Sequence, residues 1–171
     1  HVLVFPGGGR EVMRRKGEAY QLIWKQRTGF AAMAMQHGYD IIPFASVGAD
    51  DNYKILLDGA EITRSTLWRW FAHSLHLDTL TRDGEMLPPL ARGIGPSLVP
   101  RPQRYYFGFG SRIRTSHLRA RANDATAVWA LREKVATAVE AQMARMRAYR
   151  QSDRQQHWGR LRRLLAPIES P

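Results

Sequence analysis

The sequence has no cysteine, which excludes disulfides and thiolate metal sites. It has no apolar run near the roughly 20 residues that a bilayer-crossing helix needs. Its first residues do not follow the charged-then-apolar order of a secretory signal. Acidic residues are scarce: 15 Asp and Glu face 26 Lys and Arg, for a formal charge of +11. That excess turns the surface towards anionic partners, whether nucleic acid, acidic lipid headgroups or phosphorylated cosubstrates. Lysine is also rare, and arginine carries most of the charge, with a planar fork suited to phosphate. A GC-rich genome would give the same Arg- and Ala-rich composition, so charge alone selects no function. With 171 residues, 44% of them hydrophobic and 24% charged, the chain has enough material for one globular domain with a sizeable core. It contains no internal repeat and no low-complexity segment.

Val2-Leu3-Val4-Phe5 is short, apolar and rich in strand formers, so it reads as a buried strand. Pro6-Gly7-Gly8-Gly9 turns the chain into a short helix through Glu11, Val12 and Met13. Thr28 is placed to cap a helix over residues 29–36 that stops at His37-Gly38. Apolar residues run nearly all round that helix, which fits burial against a sheet. Residues 41–47 read as a second buried strand, and strand, helix, strand at this spacing implies a right-handed crossover and a parallel sheet. Residues 53–57 form a short strand or helical turn, residues 66–75 are helical, and residues 78–103 are a Pro- and Gly-rich connector. Residues 104–109 alternate as a strand. From Asp124 onward, Val128, Leu131, Val135, Val139, Met143 and Met146 recur at helical spacing, and residues 154–165 form a further helical piece.

The glycine turn is the first place where chemistry is legible. A strand that ends in glycines before a helix points backbone N–H groups at an anion, and Arg10 stands beside them. Two nucleotide motifs fail here. No Gly-Lys-Ser/Thr exists for a phosphate loop, and Val12 stands where the dinucleotide fingerprint needs its third glycine. A tight turn holding no ligand remains the alternative for the glycines. For Arg10 the alternative is a salt bridge to Glu11 or another local carboxylate.

Val4-Phe5-Pro6-Gly7-Gly8-Gly9-Arg10-Glu11 resembles the third motif of the PlsC-like glycerolipid acyltransferases, in a form nearer the monoacylglycerol and diacylglycerol acyltransferase branch. Gln26-Arg27-Thr28-Gly29-Phe30 is similar to the family's basic residue and Gly before a helix. Gln36-His37-Gly38-Tyr39-Asp40-Ile41-Ile42-Pro43 resembles its fourth motif. Residues 102–110 and Ile113 echo its last strand more loosely. The resemblance implies a partial PlsC-like acyltransferase α/β domain, with a mostly parallel sheet flanked by helices and a C-terminal helical extension. On this reading residues 1–118 are the C-terminal part of the acyltransferase domain, and residues 119–171 are the helical extension packed on it.

The implied chemistry is transfer of a fatty acyl group from acyl-CoA, a co-substrate rather than a bound cofactor, to a glycerolipid-type hydroxyl. The acceptor would be a lysophospholipid, a monoacylglycerol or a diacylglycerol. The resemblance assigns acceptor binding to Gly7, Gly8, Gly9, Arg10 and Glu11. Lys16 and Arg27 are placed to meet a headgroup or CoA phosphates, or else are solvated charges. Gly7 stands where the phospholipid branch has Glu, which puts a glycerol-phosphate acceptor in doubt. In the family a His-x4-Asp pair supplies the general base, the Asp orienting the imidazole. That motif is expected upstream of residue 1, so the 171 residues alone are expected to turn over little. His73 and Asp78 match the pattern literally, but they follow the glycine motif in the wrong order. A five-residue helical step also sets the two side chains about 140° apart. They are kept as a decoy and not as the catalytic pair.

Trp68-Arg69-Trp70-Phe71 suits a bilayer interface or, equally, packing on a sheet. The basic surface favours an anionic membrane, and the expected setting is the cytoplasmic face of a membrane. No metal site and no nucleic-acid partner are expected. The rival reading is a non-catalytic basic module for nucleic acid or anionic lipid, with Tyr105, Tyr106 and Phe107 as a stacking platform.

Overall fold

Asp124 caps the longest element. Its backbone is extended, and its carboxylate accepts hydrogen bonds from Thr126 N at 2.9 Å and Ala127 N at 3.2 Å. Arg121 holds the same carboxylate from outside at 2.7 Å, and Arg121 together with the two amides keeps the Asp124 pKa below the ordinary range. The helix that follows, Ala125–Ser152, buries Ala127, Val128, Leu131, Val135, Ala136, Val139, Gln142 and Met143 along one stripe. This is the 3.6-residue period expected from the sequence, and Met146 lies at its partly exposed end.

The computed structural model describes residues 1–12, 14–57 and 90–153. In chain order the helices are α1 (Gly9–Val12), α2 (Gly29–His37) and α3 (Ala125–Ser152), and the strands are β1 (Phe44–Val47), β2 (Lys54–Leu57), β3 (Leu90–Arg92) and β4 (Tyr106–Phe109). Short 3₁₀ turns occupy Ala49–Asn52 and Ser116–Arg121. The described residues fall into two units. The first holds residues 1–7, 22–49 and 104–153, and the second holds 8–12, 14–21, 50–57 and 90–103.

In the first unit β1 pairs antiparallel with β4, Phe44 opposite Phe109 and Val47 opposite Tyr106, and an Ile41–Ile113 bridge continues the pairing. Alternation along the strands sends Ala45, Val47, Tyr106 and Gly108 inward beneath α3. Phe44, Phe107 and Phe109 stack on the other face. The proposed three-ring platform is therefore split. Tyr106 is buried with its hydroxyl on Asp153 Oδ2 at 3.0 Å, while Tyr105 and Phe107 are exposed. Gly48 follows β1 at φ +117, where an added Cβ would sit 2.3 Å from the Arg104 carbonyl oxygen.

α2 ends at Gly38, which takes the left-handed conformation expected of it. Tyr39 N returns to Ala34 O at 2.9 Å, and Gly38 N to Met35 O at 3.2 Å. Thr28 precedes α2, but its side chain makes no capping bond. The buried face of the helix, Ala31, Ala34 and Met35, packs chiefly on α3 and the Ser116–Arg121 turn, with Ala31 and Met35 in one core cluster with Ala45 of β1. Thr115, fully buried, sets its hydroxyl 2.8 Å from Ala34 O and 2.7 Å from Tyr39 O.

Two further sequence expectations require correction. Val2, Leu3, Val4 and Phe5 form no strand and are 52–87% exposed. Apolar, branched residues favour a strand only where another strand completes their hydrogen bonds, and none of the described strands pairs with them. The mostly parallel sheet is likewise not shown. The architecture is mixed α/β, and both described sheets are two-stranded and antiparallel, β1 with β4 and, in the second unit, β2 with β3. Met13, the aromatic segment Trp68-Arg69-Trp70-Phe71, His73, Asp78 and the helical piece at 154–165 lie outside the described residues.

Candidate functional site

Pro6 and three glycines turn the chain, and only one of the glycines needs to be glycine for conformational reasons. Gly8 sits at φ +54 and its carbonyl accepts Glu11 N at 3.0 Å, which starts α1. Gly7 is buried, and a Cβ on Gly9 would meet nothing within 4 Å. The chain passes from the first unit to the second between Gly7 and Gly8. Within the first unit, Arg27 Nη1 donates to Pro6 O at 2.9 Å, so this expected headgroup cation supports the entry to the turn.

In the second unit Arg10 does not point at open solvent. Its guanidinium pairs with Glu18 at 2.5 Å, with side-chain exposures of 10% and 25%. The other Glu18 oxygen accepts the Arg15 backbone N–H at 2.6 Å. Burial pushes the Glu18 carboxyl up, but Arg10 and the Arg15 amide outweigh it and hold the group below the usual glutamate range. Of the alternatives left open for Arg10, the salt bridge is the geometry found, and Glu18 is the partner.

The segment after α1 is tied back on itself. Arg14 Nη1 donates to Glu18 O and Gln21 O, both at 2.7 Å, and its Nε lies 3.3 Å from Asp50 Oδ1. Tyr20 takes a left-handed backbone, φ +59, which an L side chain adopts only when held. Two neighbouring carboxylates hold it: Asp50 Oδ2 accepts its N–H at 2.7 Å, and Asp51 Oδ2 accepts its hydroxyl at 2.6 Å. Lys16 stands exposed beside Gly17, whose φ is +84. Glu11 is half-buried.

The structure thus brings Arg10 to Glu18 and Arg27 to Pro6, and leaves Lys16 on the surface. Sequence reasoning missed Glu18, Arg14, Tyr20, Asp50 and Asp51. No spacing rule exposes an ion pair eight residues apart across a loop. The one available signal was Gly17, a turn-former set between a basic run and a carboxylate. A shallow cleft of about 480 Å³ in the first unit, lined in part by Gln26, Thr28, Asn123 and Trp129, includes none of the seven candidate residues.

Among the described residues the arrangement shows no histidine paired with a carboxylate. His1, His37 and His117 are the described histidines, and none of them bonds to a carboxylate. Among the described residues no group of three or more His, Asp or Glu is placed to hold a metal ion. No described helix is long and apolar enough to cross a membrane.

Comparison with known proteins addresses the rest. A family profile described as diacylglycerol acyltransferase matches residues 1–87. Phytyl ester synthase 2, chloroplastic, of Arabidopsis thaliana is 32% identical over 165 residues, covering 92% of this chain and 23% of that protein. Phytyl ester synthase 1, chloroplastic, of the same plant is 36% identical over 123 residues, covering 67% of this chain and 17% of that protein. The chain therefore spans less than a quarter of the length of these curated relatives. No solved structure matches it.

Proposed function

The chain belongs to the diacylglycerol acyltransferase family, and from that premise we propose that it carries the acceptor-holding part of an enzyme that esterifies a lipid alcohol. The observation that carries this reading is the family match, which runs through the glycine turn and α2. In the proposed reaction the acceptor oxygen attacks the thioester carbonyl of acyl-CoA. A new C–O ester bond forms, the C–S bond breaks, and CoA leaves as its thiol. The hydroxyl proton passes to a general base and from it to the departing sulfur. The wider PlsC-like relationship is part of the same proposal and would assign that base to a His–Asp pair.

Gly7, Gly8, Gly9, Arg10 and Glu11 are the proposed acceptor site, with Gly8 shaping the turn and Arg10 anchored beside it. Arg27 acts by fixing Pro6, and Lys16 is free to meet an anionic surface. The relatives' names specify phytyl esters, so a neutral long-chain alcohol is the acceptor we favour, with mono- or diacylglycerol in the same class. An anionic membrane surface is the proposed setting, on charge grounds. The relatives' chloroplast designation supports a plastid membrane as a proposed location beside the cytoplasmic face.

The test is acyl transfer by the intact protein from labelled acyl-CoA to phytol and to monoacylglycerol. Arg10→Ala is expected to raise KM for the acceptor about tenfold or more, with KM for acyl-CoA unchanged. A variant with unaltered acceptor KM would remove Arg10 from the site, and ester formation absent with every neutral alcohol would remove the reaction.

A further inference from the structure

The Arg10–Glu18 pair has a consequence for which acceptors the site admits, resting on the acceptor site proposed above. A guanidinium beside a glycine turn is, in isolation, a phosphate site, because its fork matches two phosphate oxygens and its charge draws the anion in. Here one side of that fork is closed by a carboxylate. Glu18 meets Arg10 at 2.5 Å, with both side chains partly buried, 25% and 10% exposed. Glu18 cannot easily swing aside, because the Arg15 amide grips its second oxygen and Arg14 grips its carbonyl. A phosphate approaching Arg10 would have to displace a fixed carboxylate and would be repelled by it.

We propose that Glu18 is a specificity-determining residue, which neutralises Arg10 and so excludes phosphate-bearing acceptors from the glycine turn while admitting uncharged alcohols. The exclusion works by like-charge repulsion and by occupation of the guanidinium, a rejection built into the site alongside whatever attracts the correct acceptor. Glu18 touches no reacting atom in this account. It acts through Arg10.

The experiment compares two lipids of one acyl chain that differ only in a phosphate: monoacylglycerol and lysophosphatidate. Binding to the intact protein is measured in neutral mixed micelles by tryptophan fluorescence. The wild type is expected to bind lysophosphatidate no more tightly than monoacylglycerol. Glu18→Gln is expected to tighten lysophosphatidate about 10- to 100-fold, the range of a recovered charge-assisted hydrogen bond, and to leave monoacylglycerol within about twofold. Arg10→Ala added to Glu18→Gln is expected to abolish the gain. Glu140→Gln, which makes the same charge change on the exposed face of α3, is expected to give none.

A gain that survives Arg10→Ala, or that Glu140→Gln reproduces, overturns the inference, since it would then reflect net charge. Should Glu18→Gln not fold, Glu18→Ala takes its place with the same expected gain for lysophosphatidate, and a folded variant that binds it no tighter than the wild type overturns the inference. The readout is binding, so the two proposals fail separately. Loss of acyl transfer with this selectivity intact sinks the reaction alone, and a wild type that prefers lysophosphatidate sinks the Glu18 role alone.

Discussion

Glu18 shows at the scale of one residue what burial does to a charge. Partial desolvation works against its ionised form, and two donors more than restore it, so its folded-state pKa lies below the unfolded value. The sign follows directly. A depressed carboxyl contributes stability above its unfolded pKa, and that contribution is lost as pH falls through the lower folded value. Urea midpoints between about pH 5 and pH 3 should therefore fall more steeply for the wild type than for Glu18→Gln. Parallel curves would mean that the pair gives no net stability. Tyr20 makes a related point, since Asp50 and Asp51 accept its N–H and hydroxyl where its backbone is left-handed. These couplings were not legible beforehand, because each joins residues that no helical or strand period relates.

Among the elements, legibility followed the range of the interactions that fix them. α3 could be read almost to its ends, since Asp124 and the Val128, Leu131, Val135 stripe are local signals. The stop of α2 was legible for the same reason: Gly38 is a left-handed terminator whose bonds stay within the last turn. The partner of β1 was not legible. An antiparallel pairing between residues 44–47 and 106–109 leaves no mark in either segment, and the neighbouring apolar run at residues 2–5 was the more obvious choice. Gly48, which ends β1, supplies the test at this scale. Any side chain there meets the Arg104 carbonyl oxygen and a φ of +117. Gly48→Ala should cost at least about 2 kcal/mol, read as a drop in urea midpoint at unchanged m-value. A loss below about 0.5 kcal/mol would contradict the tight β1 exit.

For the molecule as a whole, an acyltransferase family was legible from one short motif and its neighbour, whereas neither the wider PlsC-like relationship nor the sheet arrangement implied by that resemblance is shown. The candidate site was half legible. Gly8 and Arg10 were marked by residue type alone, and Glu18, the carboxylate paired with Arg10, was not. The central claim is that the turn at residues 7–11 holds a lipid alcohol, and crosslinking tests it most directly. A neutral long-chain alcohol carrying a photoreactive group near its hydroxyl is irradiated with the intact protein, and the labelled peptides are mapped by mass spectrometry. The account predicts labelling within residues 6–18, competed by phytol and reduced by Arg10→Ala. Competable labelling elsewhere, with residues 6–18 unmodified, would contradict it.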